Sequence, residues 1–190
     1  MIITDFLERN AKEFGDDVCL VEINPANKPE KFVTWKEFNL IESGVANQYR
    51  REMKWKEFDD LANKFANMLI SKGVKKDDKV AILLMNSLEW LPIYFGILKT
   101  GAIAVPLNYR YAADEIEYCV NLAECNVLVF GPEFIGRVEE IAEVISKNRM
   151  LFYVGDGCPS FAESYRELVA DCSSQKPEVG EITDEDYGAI

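Results

Sequence analysis

A continuous apolar run, KVAILL at residues 79–84, constrains the fold most strongly. A run without polar alternation is typical of a strand buried on both faces of a parallel sheet. Further short apolar runs follow at AIAVPL, NVLVF and MLFYV, and amphipathic stretches separate them. Strands that alternate with helices predict crossover connections. We therefore predict an α/β fold with a mostly parallel sheet and helices on both faces.

The stretches around these runs carry the apolar spacing of helices. We expect helices over residues 4–14, 55–72, 86–99, 112–123, 134–148 and 161–169, and an additional first strand over residues 18–23. Thr4 or Asp5 can cap the first helix. Asn86 with Glu89 can cap the third, and Pro92 should kink its first turns.

The tetrapeptide WKEF occurs at residues 35–38 and again at residues 55–58. Two copies do not make a repeat array. The first copy loses its helical period near Gly44, so we interpret residues 31–53 as an excursion between core elements. We divide the chain into residues 1–54, an α/β core at residues 55–170, and a polar linker at residues 171–190. The final residues, DYGAI, have the character of a further strand that is just beginning.

Several classes of protein are disfavoured by composition. The chain has no histidine, which excludes Ser-His-Asp triads, Cys-His pairs and His-ligated zinc. Five cysteines without a C-x-x-C pair predict reduced thiols and no metal site. A net charge of −12 gives no reason to expect a nucleic-acid partner. Since we find no signal peptide and no uncharged apolar run of about 20 residues, we expect a cytoplasmic protein without a membrane span.

Two stretches come close to the phosphate-binding loop G-x-x-x-x-G-K-[ST] without matching it. In GILKTGAIAVPLNYR, residues 96–110, Gly101 follows a helix and is not itself followed by Lys and Ser/Thr. We therefore predict that Gly101 ends this helix and that the charge of Lys99 complements the negative end of the helix dipole. In GPEFIGR, residues 131–137, Pro132 removes a backbone donor and Arg137 replaces the lysine, so we predict a helix start. We identify no catalytic residue in this chain.

The order of short motifs resembles the amino-terminal part of the adenylate-forming (AMP-dependent) acyl-CoA synthetases. Their pattern runs from W/Y-x-E-[LF] through L-x-x-x-G-[VI]-x-x-x-D-x-V-A-[IL], N-S-x-E-[WF] and G-[IL]-x-K-x-G-A-x-x-x-P-L-N to [ED]-I. This chain has WKEF, LISKGVKKDDKVAI, NSLEW, GILKTGAIAVPLN and DEI in that order. The run covers residues 55 to about 130, and the rest matches loosely. The excursion over residues 31–53, which contains the additional first WKEF copy, departs from the family pattern, in which this element occurs once.

The resemblance implies a reaction and its cofactors. In that family a carboxylate attacks the α-phosphate of ATP with the help of Mg²⁺, and a thiol, usually that of CoA, then displaces AMP. The family's phosphate loop, its adenine-binding residues and a carboxy-terminal lysine would lie downstream of DYGAI. The resemblance thus predicts the amino-terminal subdomain of a longer acyl-CoA synthetase, inactive by itself and completed by the remainder of its own chain. Fatty, aromatic and short-chain acids remain open as substrates.

The predicted sheet also points to a ligand-side loop. Asn108, Tyr109 and Arg110 follow the AIAVPL strand, and open α/β sheets bind ligands beyond the carboxyl ends of their strands. In the full enzyme, Arg110 is a candidate to approach a CoA phosphate; the alternative is a capped surface loop. A second reading of the whole chain is a complete, non-catalytic α/β binding or assembly module. The downstream reading frame distinguishes the two.

Overall fold

The structure, a computed structural model, describes residues 2–23 and 50–190. The first WKEF copy and most of the proposed excursion lie outside these residues. The described helices and strands are α1 (Ile3–Glu13), β1 (Val18–Ile23), β2 (Arg50–Lys54), α2 (Trp55–Ser71), β3 (Lys79–Leu83), α3 (Trp90–Lys99), β4 (Ile103–Pro106), α4 (Ala113–Leu122), β5 (Cys125–Phe130), a 3₁₀ turn (Pro132–Phe134), α5 (Ile135–Ile145), β6 (Met150–Tyr153), β7 (Glu163–Ser164) and α6 (Tyr165–Ala170).

Within the described residues, the main sheet has five parallel strands in the order β4-β3-β5-β6-β7. The chain steps from β3 to β4 in one direction and then passes back over β3 to reach β5, β6 and β7. Because such crossovers are right-handed, the reversal sends α3 to one face and α4 and α5 to the other. The predicted α/β fold is confirmed.

Strand β3 lies at the centre of both cores, which explains its uninterrupted apolar sequence. Val80 and Ile82 belong to the cluster that includes residues of α2, α3 and α6. Ala81 and Leu83 belong to the opposite cluster, with residues of α4 and α5. Successive side chains of a strand face opposite ways, so a strand covered on both sides has no position for a polar residue.

Strands β1 and β2 form a separate antiparallel pair, in which Glu22 lies opposite Arg51. With α1 and the start of α2 they enclose a third, smaller cluster around Leu7, Met53 and Phe58. Residues 50–53, which we assigned to the end of the excursion, are therefore part of a regular strand.

Two predicted helix starts and one predicted helix cap are wrong. Helix α3 begins at Trp90 rather than at residue 86, so Pro92 falls in its first turn, where a missing N–H breaks no helical bond. Helix α1 has Ile2 at its N-cap, and the Asp5 carboxylate accepts the Ile2 N–H at 3.1 Å. The last helix begins only at Tyr165, because residues 163–164 pair with β6 as strand β7.

Two glycines of GILKTGAIAVPLNYR have structural roles, and that of Gly101 is the role predicted for it. A Cβ at Gly96 would lie 2.9 Å from the carbonyl oxygen of Ala62 and 2.9 Å from a ring carbon of Phe65, so glycine permits the close contact of α3 with α2. Gly101 has a φ of 77° and donates its N–H to the carbonyl of Leu98 at 3.0 Å, which ends α3.

The segment 171–190 contains one isolated bridge and no helix or regular strand. Near its start, Asn67 Nδ2 donates to the carbonyls of Ser173 and Gln175 at 2.8 and 2.9 Å. At its end, Ala189 forms a parallel bridge with Ala104 on the outer edge of β4. The strand character predicted for DYGAI is thus present as a single pair. The assignment of this segment as a linker stays a prediction.

Candidate functional site at the carboxyl edge of the sheet

Three loops meet at the carboxyl ends of β3, β4 and β5, which are neighbours in the sheet. They comprise residues 84–89, 107–112 and 131–134. The chain leaves β3 towards one face and leaves β4 and β5 towards the other. Open α/β sheets bind ligands in the crevice at such a divergence, so we take the ends of β3, β4 and β5 as the candidate site.

The predicted residues Asn108, Tyr109 and Arg110 lie in the loop after β4. Asn108 Oδ1 accepts the N–H of Arg110 at 3.0 Å, and this bond closes a local turn. The Arg110 guanidinium lies 5.3 Å from the centre of the Tyr109 ring, and its Nε donates to the Tyr109 hydroxyl at 3.0 Å. Both side chains are exposed. The turn therefore presents a cation backed by an aromatic ring.

Arg137, which stands where a phosphate-binding loop would have its lysine, supports the turn at residues 108–110. Its Nη1 donates to the carbonyls of Tyr109 at 2.9 Å and Tyr111 at 2.7 Å. Its guanidinium also lies 4.9 Å from the centre of the Phe134 ring. Among the residues that the structure describes, neither Arg110 nor Arg137 forms a salt bridge. The loops also carry Glu89 and Glu133, so the two arginines are local cations on an edge of mixed charge.

Residues of the β1–β2 pair bind the loop after β3 through a hydrogen bond and a salt bridge. Glu22 Oε2 accepts the N–H of Leu88 at 2.9 Å, and Arg51 Nη2 binds Glu89 Oε1 at 2.7 Å. This contact was not predicted, because the spacing of Asn86 and Glu89 in NSLEW fits a helix cap equally well. Asn86, the predicted N-cap of α3, is instead an exposed residue of this loop.

The remaining stretches provide no phosphate cradle. Pro132 begins a 3₁₀ turn that leads into α5, as predicted from GPEFIGR. In the Gly155-Asp156-Gly157 turn, the carbonyl of Asp156 accepts the Tyr153 hydroxyl at 3.1 Å. No group of three or more His, Cys, Asp or Glu residues within residues 2–23 and 50–190 could hold a metal ion. In those same ranges no helix is long and apolar enough to cross a membrane.

All five cysteines lie in the described part of the chain and carry free thiols. Burial raises the pKa of the Cys125 thiol to about 11, which leaves it protonated at neutral pH. This thiol lies at the start of β5, at the opposite end of the strand from the three loops. Cys125 therefore has a packing role and takes no part in the candidate site.

A family model described as "AMP-binding enzyme" matches residues 7–186. This chain belongs to the AMP-binding enzyme family. A long-chain-fatty-acid–CoA ligase of Mycobacterium tuberculosis is 33% identical over 112 residues, which are 58% of this chain and 22% of the relative. A 3-hydroxybenzoate/4-hydroxybenzoate–CoA ligase of Thauera aromatica is 33% identical over 98 residues, 52% of this chain and 19% of the relative. The aligned part is thus about a fifth of the length of these relatives.

Solved structures match over nearly the whole chain. The anthranilate CoA ligase AuaEII, solved with anthranoyl-AMP, matches with a TM-score of 0.76 and 25% identity over 96% of this chain and 30% of that one. The N-terminal domain of FACL13 from Mycobacterium tuberculosis matches with a TM-score of 0.75 and 22% identity over 100% of this chain and 41% of that one. The resemblance read from the motif order is confirmed, and the fold is that of a part of the FACL13 N-terminal domain, of which this chain covers 41%.

Proposed function

We propose that this chain is the amino-terminal part of an ATP-dependent acid–thiol ligase. The overall reaction converts a carboxylate, ATP and CoA into acyl-CoA, AMP and pyrophosphate. A carboxylate oxygen bonds to the α-phosphorus as pyrophosphate leaves, and the CoA sulfur then bonds to the acyl carbon as AMP leaves. The family match over residues 7–186 carries the proposal, together with the exposed cation Arg110 in the loop at the end of β4.

The described residues suit only some of the cofactors. Arg110 has the charge and the exposure to bind a CoA phosphate. By contrast, no described cluster of carboxylates could hold Mg²⁺, and no described loop matches a phosphate cradle. We therefore assign ATP and Mg²⁺ to no residue of this chain and leave both to the remainder of the parent protein.

The contact at Ala104 supports completion of the site by the same polypeptide. Ala104 donates its N–H to Gly188 and accepts the N–H of Ile190, at 3.0 and 3.1 Å. Because this pairing is parallel, a continuation of the segment would run beside β4 and reach the Asn108–Arg110 loop. On this proposal, the 190-residue chain alone releases no pyrophosphate from ATP with any carboxylic acid. Its five free thiols suit a cytoplasmic location.

The decisive experiment is to read the gene beyond codon 190 and assay the full-length product. We expect an open frame and carboxylate-dependent release of pyrophosphate, tested with fatty, aromatic and short-chain acids. Relatives named for long-chain fatty acids and for hydroxybenzoates make the first two classes the primary candidates. A stop codon directly after Ile190, or turnover of ATP by the 190-residue chain alone, would contradict the proposal. The stop codon would favour the non-catalytic binding or assembly module.

Asn108, Tyr109 and Arg110 are our candidates for the CoA side of the site. In the full-length enzyme, Arg110→Ala should raise the apparent KM for CoA, while pyrophosphate release in the first half-reaction continues at its normal rate. The control is Arg9→Ala, since Arg9 is an exposed arginine of α1, a helix that contacts Lys99 at the end of α3 farthest from this edge. An unchanged KM for CoA in the Arg110→Ala enzyme would exclude the assigned role.

A further inference from the structure

The β1–β2 pair lies outside the main sheet but contacts the candidate site at one point. Glu22 and Arg51 are opposite each other across the two strands. Glu22 accepts the backbone N–H of Leu88, and Arg51 binds the carboxylate of Glu89. Arg51 Nη2 also lies 3.7 Å from Glu22 Oε2. The pair therefore holds both the backbone and a side chain of the loop after β3.

Burial distinguishes this contact from an ordinary surface salt bridge. The Arg51 side chain is 13% exposed, whereas its neighbour Arg50, which binds Glu52 at 2.6 Å, is 53% exposed. Exposed ion pairs contribute little because water and salt screen them, while bonds to a charged group that water reaches poorly are stronger. Strand β2 thus carries two adjacent arginines: Arg51 is largely buried against the loop after β3, and Arg50 is exposed to solvent.

The loop after β3 adjoins the loop after β4 because these strands are neighbours, about 4.8 Å apart in a sheet. We propose that Arg51 is a positioning residue. Together with Glu22 it fixes residues 84–89, so that Asn86 and Ser87 form a wall of the crevice beside Asn108 and Arg110. This inference rests on the proposed function, in which the crevice receives CoA.

The first test uses the 190-residue chain and requires no enzyme activity. Hydrogen exchange measured by mass spectrometry should show that Arg51→Met speeds exchange of the amides in residues 85–90 about tenfold, the effect of losing a charge-assisted hydrogen bond. The matched control is Arg50→Met, which should change that exchange less than twofold. Peptides from β3 and β5 report global unfolding and should keep the protection of the unmodified chain.

A milder variant protects the test against a folding failure. Glu22→Gln keeps an oxygen that can accept the Leu88 N–H but loses the charge that attracts Arg51, so its exchange should lie between those of the unmodified chain and Arg51→Met. Equal exchange rates in residues 85–90 for Arg51→Met and Arg50→Met would overturn the inference. So would faster exchange that spreads equally through β3 and β5.

The second test measures function in the full-length enzyme. Arg51→Met should raise the apparent KM for CoA threefold or more and change kcat less than twofold, and Arg50→Met should alter neither. Faster loop exchange with an unchanged KM would reduce Arg51 to a structural residue and overturn the positioning role. A full-length protein without ligase activity would refute the proposed function itself, and the positioning role with it, even if exchange showed that Arg51 holds the loop.

Discussion

Replacement of Lys99 by methionine tests the buried ion cluster that connects three helices. Lys99 lies in the last turn of α3, as predicted, but its side chain is only 2% exposed and does not extend into solvent. Its Nζ lies 2.8 Å from Asp59 Oδ1 on α2 and 3.5 Å from Glu8 Oε1 on α1. Methionine preserves most of the apolar stem and removes only the charge.

The expected cost follows from what remains after the substitution. Removing one partner of a fully buried ion pair typically costs about 3–5 kcal/mol, because the other charge is left without compensation. Here Glu8 keeps Lys176 at 2.9 Å, and Asp59 is partly open to water, so the penalty should be smaller. We expect a loss of about 2–3 kcal/mol in the free energy of unfolding, a large part of a typical total of roughly 5–15 kcal/mol.

Urea unfolding followed by circular dichroism measures this loss as a lower midpoint at an unchanged m-value. The control is Lys56→Met, which breaks an exposed pair with Asp60 on α2, where the lysine side chain is 68% exposed. Water screens such a pair, so breaking it should barely change the urea midpoint. If Lys99→Met and Lys56→Met lowered the stability equally, Lys99 would not be acting as a buried charge and the argument would be refuted.

Two further predictions concern packing and reactivity. Gly96→Ala should lower the free energy of unfolding by about 1–3 kcal/mol, since its Cβ would overlap Ala62 and Phe65. Gly136→Ala is the control on α5: no atom lies within 4 Å of its Cβ, so it should stabilise the helix by about 0.5–1 kcal/mol in the same urea titration. Cys125, with its pKa raised to about 11, is about 0.1% thiolate at pH 8, so iodoacetamide should leave it unmodified in the native protein while it labels exposed Cys158. Its reactivity should rise as the pH approaches 11, and peptide mass spectrometry that found both thiols labelled equally fast at pH 8 would contradict the shift.

The sheet was predictable from sequence because its strands are buried on both faces. After Lys79, strand β3 is apolar at every position, and that pattern is visible in KVAILL without any tertiary information. The role of Gly101 at the end of α3 was also predictable, since a residue that ends a helix with positive φ is usually glycine. The start of α3 was missed because Asn86 satisfied a local cap rule while Glu22 and Arg51, distant in sequence, decided the geometry.

The position of the candidate site followed from topology, whereas its supports did not. Arg137 and Glu22 act through hydrogen bonds to backbone groups of other segments. Every residue type offers the same backbone N–H and C=O apart from proline, so the partner segment carries no compositional sign of such a bond. Such a bond also leaves no periodic pattern in the sequence. Arg137 was therefore interpreted only as a replacement for the lysine of a phosphate-binding loop. Only the folded structure therefore identifies the residues that hold the loops of this edge. Among them, the contribution of Arg51 can be measured on its own, because Arg50→Met on the same strand is a matched control.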